Sequence, residues 1–255
     1  MSAAFDLTGR HALVTGSSRG VGYALATGLA QAGCRVALHG QDRTRVREAA
    51  ARLADQTGAQ VDAVSFDVTS PDQVRVGVAE TLDVLGQIDI LVNNAGIQRR
   101  HPVLQFPTAE WDQVLATNLT APFLVAQRVA AGMVERGGGK IINIGSVQSG
   151  LARPTITPYA ASKGGVVMLT KGLCAELGGS GVQVNTLAPG YIHTEMTQAL
   201  VDDTSFNSWV VGRTPAARWG SVADLVGPLL FLASPASDFV NGQTLFVDGG
   251  MTAVV

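Results

Sequence analysis

Short apolar runs rich in β-branched residues alternate along the chain with longer segments in which apolar residues recur at helical spacing. The short runs predict seven strands, over residues 11–16, 35–40, 61–68, 88–96, 139–146, 182–190 and 243–250. The longer segments predict helices over residues 20–33, 43–58, 70–86, 108–137 and 158–178. Two boundaries carry clear signals, because Gly58 follows the second helix and Ser70 with Pro71 opens the third.

This order of elements indicates an α/β fold. Strands that alternate with helices pair in parallel through right-handed crossovers, and the helices then cover both faces of the sheet. The strands are almost continuously apolar, as a sheet covered on both faces requires. No linker, repeat or low-complexity tract divides the chain. We therefore expect one doubly wound, Rossmann-type domain over residues 1–255, with a seven-stranded parallel sheet.

Composition excludes several classes of protein. Hydrophobic residues make up 46% of the 255 residues and charged residues only 15%, which is typical of a well-buried globular chain and not of a disordered one. The net charge of -2 gives no general attraction to nucleic acid or to anionic membranes. The sequence has no apolar run of membrane-spanning length and no signal-peptide pattern, and Cys34 and Cys174 fit buried thiols in a reducing compartment. We expect a cytoplasmic protein.

A glycine-rich segment, TGSSRGVG (15–22), joins the first strand to the first helix. Gly16, Gly20 and Gly22 give the spacing G-x-x-x-G-x-G, a variant of the dinucleotide fingerprint. Glycines let backbone N–H groups approach a pyrophosphate at a helix N-terminus, where the helix dipole also favours negative charge. The alternative is an ordinary glycine-rich turn, but its place at the first strand–helix junction favours a nucleotide site. Further predicted contacts within this segment are Ser18, Arg19 and Val21.

The end of the second strand bears on the choice between NAD and NADP. NAD-binding proteins usually place an acidic residue there for the ribose 2′-hydroxyl, but this chain has Gly40, and the nearest acid, Asp42, comes two residues later. Arg19 and Arg43 lie nearby in the sequence, and a guanidinium can hold a 2′-phosphate in a fork. The alternative is that both arginines are solvated surface groups. We expect NADP, with NAD less favoured.

The third and fourth strands end in further candidate cofactor contacts. Asp67 and Val68 end the third predicted strand, in position to meet the adenine edge. The segment NNAG (93–96) ends the fourth and would form the floor under the cofactor through Asn94, Ala95 and Gly96. Two asparagines and a glycine also form a structural turn readily, so this reading stays open.

A serine, a tyrosine and a lysine are the candidate catalytic residues. Tyr159 and Lys163 are four residues apart, so they share one face of the helix predicted over 158–178, and Ser146 ends the preceding strand. An ammonium group beside a phenol lowers the pKa of the phenol and favours acid–base chemistry. Taken alone, such a pair could also be a surface contact that stabilises the helix.

TGSSRGVG, NNAG, Asn118 and the Ser146, Tyr159 and Lys163 set occur in an order that resembles the short-chain dehydrogenase/reductase family, and the resemblance extends to APG (188–190) and DGG (248–250). It implies hydride transfer in which Tyr159 exchanges a proton with the substrate oxygen, Ser146 places that oxygen, and Lys163 favours the phenolate and holds the nicotinamide ribose. Asn118 would hold a water that links Lys163 to solvent. The resemblance also implies a homotetramer, with segment 231–250 at an interface. Further cofactor contacts would come from Pro189, Gly190, Ile192 and Thr194.

The substrate pocket is expected to be polar and cationic. Arg99 and Arg100, with His101, follow the fourth strand, Gln148 and Arg153 come from the opposite wall, and His193 follows the sixth strand. Such a pocket suits a hydroxylated acid, because arginine pairs with carboxylates. The alternative is that Arg99 and Arg100 are solvated or lie at a subunit contact.

A narrower resemblance covers NNAGIQRRHP, RTPAARWG and the helical lid expected around 195–215, and it points to family members that interconvert a sugar acid and its keto form. That group often has Glu where this chain has Gly150, which leaves the sugar open and argues against a site metal. No His, Asp and Glu cluster has metal-ligand spacing either. Two alternatives are a 3-oxoacyl-(acyl carrier protein) reductase and a cofactor-binding sensor without turnover.

Overall fold

A computed structural model describes residues 5–254 of the chain. Seven strands form one parallel sheet in the order β3-β2-β1-β4-β5-β6-β7. The order reverses between β1 and β4, and ligands of such sheets bind at the carboxyl ends of the strands beside this reversal. The strands are β1 (His11–Val14), β2 (Arg35–His39), β3 (Val61–Val64), β4 (Ile90–Asn93), β5 (Gly139–Ile144), β6 (Val182–Pro189) and β7 (Thr244–Val247). The predicted seven-stranded doubly wound fold is confirmed.

Helices cover both faces of this sheet. They are α1 (Gly20–Gln31), α2 (Arg43–Thr57), α3 (Pro71–Leu85), α4 (Thr108–Leu115), α5 (Ala121–Glu135), α6 (Thr157–Leu177), α7 (Gln198–Val201), α8 (Thr204–Arg213) and α9 (Val226–Ala233). Alternate residues of one strand serve the two cores, since Ala12 and Val14 pack with α1, α2 and α9 while Leu13 packs with α3 and α5. In the described part of the chain, no helix is both long and apolar enough to cross a membrane.

The predicted helix boundaries at Gly58 and Ser70 are confirmed. Gly58 follows α2 with a φ of 70°, a left-handed conformation that glycine adopts without a steric penalty. Ser70 caps α3, because its side chain accepts a hydrogen bond from the backbone N–H of Gln73, and Pro71 is the first helical residue. These local signals fix where each helix meets its loop.

The structure corrects two predicted elements. The third strand ends at Val64 and not at 68, because Asp67 turns the chain: its Oδ1 accepts bonds from the Thr69 N–H at 2.8 Å and the Thr69 hydroxyl at 2.7 Å. The single helix predicted over 108–137 is interrupted by a π-helical segment at Ala116–Thr120. Pro122 follows this segment and has no N–H to donate to the carbonyl of Asn118, so the regular α-helical pattern cannot continue there.

Candidate active site

The glycine-rich loop after β1 lies directly against the NNAG segment after β4. A side-chain carbon added to Gly16 would come within 2.8 Å of the Ala95 Cα, and one added to Gly22 would overlap the Asn94 amide and the Gly16 carbonyl. The Asn94 side chain donates to the carbonyls of Thr15 at 3.0 Å and Gly16 at 2.9 Å. The NNAG segment therefore packs against the glycine loop and hydrogen-bonds to it, and is not only a turn.

The start of α1 offers free backbone N–H groups to an anion. Arg19 precedes the helix but makes no side-chain capping bond, and the first turn contains no acidic residue. Gly20 has a φ of 59°, a left-handed conformation that glycine adopts without a steric penalty. This arrangement fits a pyrophosphate, which the helix dipole and the free N–H groups would both favour.

The end of β2 leaves space beside the loop. A side-chain carbon at Gly40 would make ordinary contacts at 3.6 Å with the Ser18 Oγ and the Val46 Cβ. The nearby Asp42 is already used, because its Oδ1 caps α2 by accepting from the N–H groups of Thr44 and Arg45, both at 3.0 Å. Arg43 is exposed and, in the described part of the chain, makes no ion pair with an acidic side chain.

The other predicted cofactor residues follow β3, β4 and β6. Val68 is buried, Asp67 and Ile192 flank turns, and Pro189 ends β6. A side-chain carbon at Gly190 would lie 2.7 Å from the Asp248 Cα, so the C-terminal DGG segment packs directly on this turn. Thr194 bonds with Thr197, its backbone N–H donating to the Thr197 hydroxyl at 2.9 Å. The structure brings these segments to the same edge of the sheet as the glycine loop.

Ser146, Tyr159 and Lys163 come together at the carboxyl end of β5. The Lys163 Nζ donates to the Ile144 carbonyl at 2.6 Å and lies 5.7 Å from the centre of the Tyr159 ring. Ser146 lies against the Tyr159 phenol, and its Oγ accepts from the Gln148 N–H at 3.2 Å. Tyr159 and Lys163 both belong to α6, as their spacing predicted.

Burial shifts the pKa values of both Tyr159 and Lys163. It raises the pKa of Tyr159 above the ordinary value, and the Ser146 side chain lowers it less. Burial also lowers the pKa of Lys163 to about 8, because desolvation disfavours the charged ammonium, and no carboxylate among residues 5–254 pairs with it. Desolvation is therefore the largest effect on both groups, and the expectation that Lys163 together with an oxidised nicotinamide favours the phenolate stays a prediction.

Asn118 lies in the π-helical segment and is buried. Its Oδ1 accepts from the Ile97 N–H at 2.8 Å, and its Nδ2 donates to the Ile97 carbonyl at 2.9 Å and the Ser162 Oγ at 3.2 Å. The side chain therefore fixes the chain just after NNAG and joins it to α6.

Two of the predicted substrate residues, Arg100 and Arg153, face each other beside Tyr191. Burial and the nearby charge of Arg153 lower the pKa of Arg100. Neither guanidinium forms an ion pair with an acidic side chain among residues 5–254. Two like charges held together without a counter-charge form a natural site for a carboxylate.

Gln148 completes this pocket. Its Nε2 lies 3.5 Å from the Tyr191 hydroxyl, while its buried Oε1 has no hydrogen-bond partner among residues 5–254. The residue is only 8% exposed, and an unpartnered buried oxygen is costly unless a ligand donates to it. Gln148 is therefore ready to accept a hydrogen bond from a bound hydroxyl group.

The other polar residues predicted for the pocket are engaged elsewhere. Arg99 donates to the Gln113 Oε1 at 3.1 Å and lies 3.7 Å from Glu110, so it is directed toward α4. His101 also pairs with Glu110, at 3.0 Å. His193 is exposed and lies 2.8 Å from the Gln198 Oε1. Gly150 is exposed at the end of the turn after Ser146.

Tyr191 is a pocket residue that the sequence analysis missed. Its ring makes edge-on contacts with Phe206, Trp209 and Trp219, with centroids 5.6, 5.8 and 5.7 Å apart. Arg153 lies over the Phe206 ring at 5.3 Å. The sequence did contain a signal for this position, because Tyr191 directly follows the Pro-Gly turn and an aromatic-rich segment comes after it.

The comparisons with known proteins agree with this geometry. A family model described as enoyl-(acyl carrier protein) reductase matches residues 16–252. The chain belongs to the short-chain dehydrogenase/reductase family of oxidoreductases, as its motifs predicted.

Particular members of the family are similar over the full chain. The 5-keto-D-gluconate 5-reductase of Escherichia coli strain K12 is 52% identical over 255 residues, which is 100% of both chains. The gluconate 5-dehydrogenase of Gluconobacter oxydans strain 621H is 52% identical over 248 residues, 97% of this chain and 96% of that protein. The crystal structure of a gluconate 5-dehydrogenase from Burkholderia cenocepacia J2315 in complex with NADP and tartrate has 54% identity and a TM-score of 0.96, covering 99% of each chain. The narrower resemblance in the sequence is confirmed.

Proposed function

We propose that this protein is an NADP-dependent oxidoreductase that interconverts D-gluconate and 5-keto-D-gluconate by hydride transfer. The relatives named for these two compounds support the proposal, since each is 52% identical across nearly all of its length. The observation that carries it is the pair Arg100 and Arg153, which lacks an acidic partner in the described chain and lies with Tyr191 beside Tyr159. A sugar acid supplies both the carboxylate and the hydroxyl groups that this pocket would bind.

The nucleotide would occupy the carboxyl ends of β1, β2 and β4. Gly16, Gly20 and Gly22 would admit the pyrophosphate, and Arg19 and Arg43 would hold the 2′-phosphate in the space that Gly40 leaves. The nicotinamide supplies the hydride acceptor or donor when bound. NADP is also the nucleotide named with the Burkholderia structure. Remaining contacts would come from Ser18, Val21, Asp67, Val68, Asn94, Ala95, Gly96, Pro189, Gly190, Ile192 and Thr194.

The catalytic proton would move through the Tyr159 hydroxyl. In the reducing direction the phenol donates its proton to the substrate oxygen, and the raised pKa keeps that proton in place at neutral pH. Ser146 would orient the same oxygen from the opposite side. Lys163 would place a positive charge near the phenol and hold the nicotinamide ribose. Asn118 would support the proton route to solvent from the π-helical segment.

The substrate would lie with its carboxylate between Arg100 and Arg153. The Gln148 Oε1 and the Tyr191 hydroxyl would then meet its hydroxyl groups. Tartrate, a hydroxylated dicarboxylate, is named with the Burkholderia structure and belongs to this chemical class. The thioester substrate of a 3-oxoacyl reductase has no carboxylate for the arginines. A sensor without turnover has no use for a tyrosine hydroxyl held against Ser146.

Assembly and location complete the proposal. We propose a homotetramer, supported by the exposed apolar side chains Phe239 and Phe246 in segment 231–250 and by Met168 on α6. Sizing at micromolar concentration should give a tetramer, and a clean monomer would contradict the proposed homotetramer.

We also propose a cytoplasmic location, because the free thiols Cys34 and Cys174 fit a reducing compartment. The helical segment around 195–215 would act as a lid over the substrate pocket, and it contributes Phe206 and Trp209 to the rings around Tyr191.

The test is a panel of substrates assayed side by side with NADPH and NADH. We expect 5-keto-D-gluconate with NADPH to give the highest kcat/KM, well above acetoacetyl thioesters. A preference for the thioester would favour the 3-oxoacyl reductase. Nucleotide binding without turnover on any member of the panel would favour a sensor.

A further inference from the structure

His39 is a buried imidazole that the proposed chemistry does not use. It is the last residue of β2 and is 2% exposed. Both ring nitrogens have partners: Nδ1 accepts from the Gly16 N–H at 3.1 Å, and Nε2 donates to the Phe66 carbonyl at 2.9 Å. Because an N–H of Gly16 must meet an unprotonated nitrogen, these partners define a neutral ring with its proton on Nε2.

The backbone of His39 also holds the same loop. The Ser17 N–H donates to the His39 carbonyl at 2.9 Å, and the His39 N–H donates to the Ser17 Oγ at 2.9 Å. The Ser17 hydroxyl in turn donates to the Val14 carbonyl at 2.6 Å. One residue thus joins the segment after β1, the end of β2 and the segment after β3, where the nucleotide is proposed to bind.

We propose that His39 is a positioning residue that fixes the glycine loop in its nucleotide-binding shape through the bond between Nδ1 and the Gly16 N–H. Gly16 is in the left-handed region at a φ of 61° and touches Ala95. The backbone of the loop is therefore closely packed at this point and has little room for another conformation. The Gly16 N–H is directed at His39 and not at the helix end. Its role is therefore to hold the loop, leaving the N–H groups at the start of α1 for the pyrophosphate.

Two substitutions separate the two ring contacts. In His39→Asn the amide oxygen stands close to the place of Nδ1 and can still accept from Gly16, but the bond to Phe66 is lost. In His39→Gln the amide nitrogen stands close to the place of Nε2 and can still donate to Phe66, but the bond to Gly16 is lost. Each variant loses one buried hydrogen bond, so a purely structural role predicts similar losses of stability and equal nucleotide binding in both.

The experiment is a fluorescence titration of wild type and both variants with NADPH and NADH, together with thermal unfolding. The inference rests on the proposed nucleotide site, and wild-type binding tests that site separately. We expect His39→Asn to bind within threefold of wild type and His39→Gln to bind at least tenfold more weakly, with similar melting temperatures for the two variants. Equal affinities in the two variants, whether both strong or both weak, would overturn the positioning role. A wild type without affinity for either nucleotide would overturn the proposed function and this inference together.

Discussion

Placing a carboxylate at Gly40 should reverse the cofactor preference. The structure admits the new side chain, because a Cβ there makes only ordinary contacts at 3.6 Å with Ser18 and Val46, and Gly40 is not among the residues with positive φ. Gly40→Asp therefore changes charge without forcing a repacking of the loop. Its carboxylate would stand where the 2′-phosphate is proposed to bind and would offer an acceptor to the ribose hydroxyl of NADH.

The size of the expected effect on NADPH follows from the charges involved and from their exposure to solvent. Two unit charges about 5 Å apart interact by about 3 kcal/mol at an effective dielectric constant of about 20, and solvent at this half-exposed edge reduces that value. We expect Gly40→Asp to weaken the interaction with NADPH by about 1.5–3 kcal/mol, which is roughly a 10- to 100-fold decrease in kcat/KM for NADPH. Arg43 is exposed, so Arg43→Ala should cost about 1 kcal/mol, or about fivefold, for NADPH alone.

The assay is steady-state kcat/KM for NADPH and NADH in wild type, Gly40→Asp and Arg43→Ala. Arg47→Ala is the matched control, because Arg47 is an exposed arginine one turn further along α2. That control should leave both cofactors within twofold of wild type. A wild type that prefers NADH, or an Arg43→Ala variant that weakens both cofactors equally, would refute the assignment of this pocket.

Three further predictions concern catalysis, substrate binding and acid stability. Tyr159→Phe should lower turnover by at least a hundredfold while NADPH affinity stays within threefold, and retention of a tenth of the activity would exclude the proton role. Arg153→Ala should raise KM for 5-keto-D-gluconate at least tenfold, whereas Arg99→Ala, whose guanidinium contacts α4, should change it less than threefold. Burial lowers the pKa of His39 to about 4, and the unfolded ring takes up its proton below about 6.5, so stability falls as the pH decreases through this range. Between pH 7.5 and 5 wild type should lose about 2 kcal/mol of unfolding free energy more than His39→Asn in denaturant titrations, and parallel losses would contradict the neutral ring.

Local patterns in the sequence were sufficient for much of the fold. The alternation of apolar runs and helical segments predicts all seven strands, because a doubly covered parallel sheet leaves few other arrangements. Gly58, Ser70 and Pro71 mark helix ends through conformations and hydrogen bonds that involve only neighbouring residues. The glycine loop was also predictable, since a side chain at Gly16 or Gly22 would overlap the NNAG segment.

What could not be predicted depends on contacts between distant segments. The π-helical segment places Asn118 against Ile97, and that pairing joins residues 21 positions apart. Tyr191 gains its place from an aromatic cluster whose members reach residue 219. His39 belongs to no motif, because its ring contacts two backbone groups in the segments that follow β1 and β3. Sequence spacing also cannot give the pKa of Tyr159, which burial controls.

The pKa shifts of Tyr159 and Lys163 bear on the protonation state of the site at neutral pH. Burial keeps the phenol protonated and lowers the Lys163 pKa to about 8, so at neutral pH the pair consists of a phenol beside an ammonium. This is the state that a carbonyl reduction needs, since the phenol must give up its proton to the substrate oxygen. Oxidation of an alcohol needs the phenolate, and the protein groups alone oppose it. A further positive charge, such as an oxidised nicotinamide carries, would favour that phenolate, so alcohol oxidation would depend on the bound cofactor as well as on Lys163.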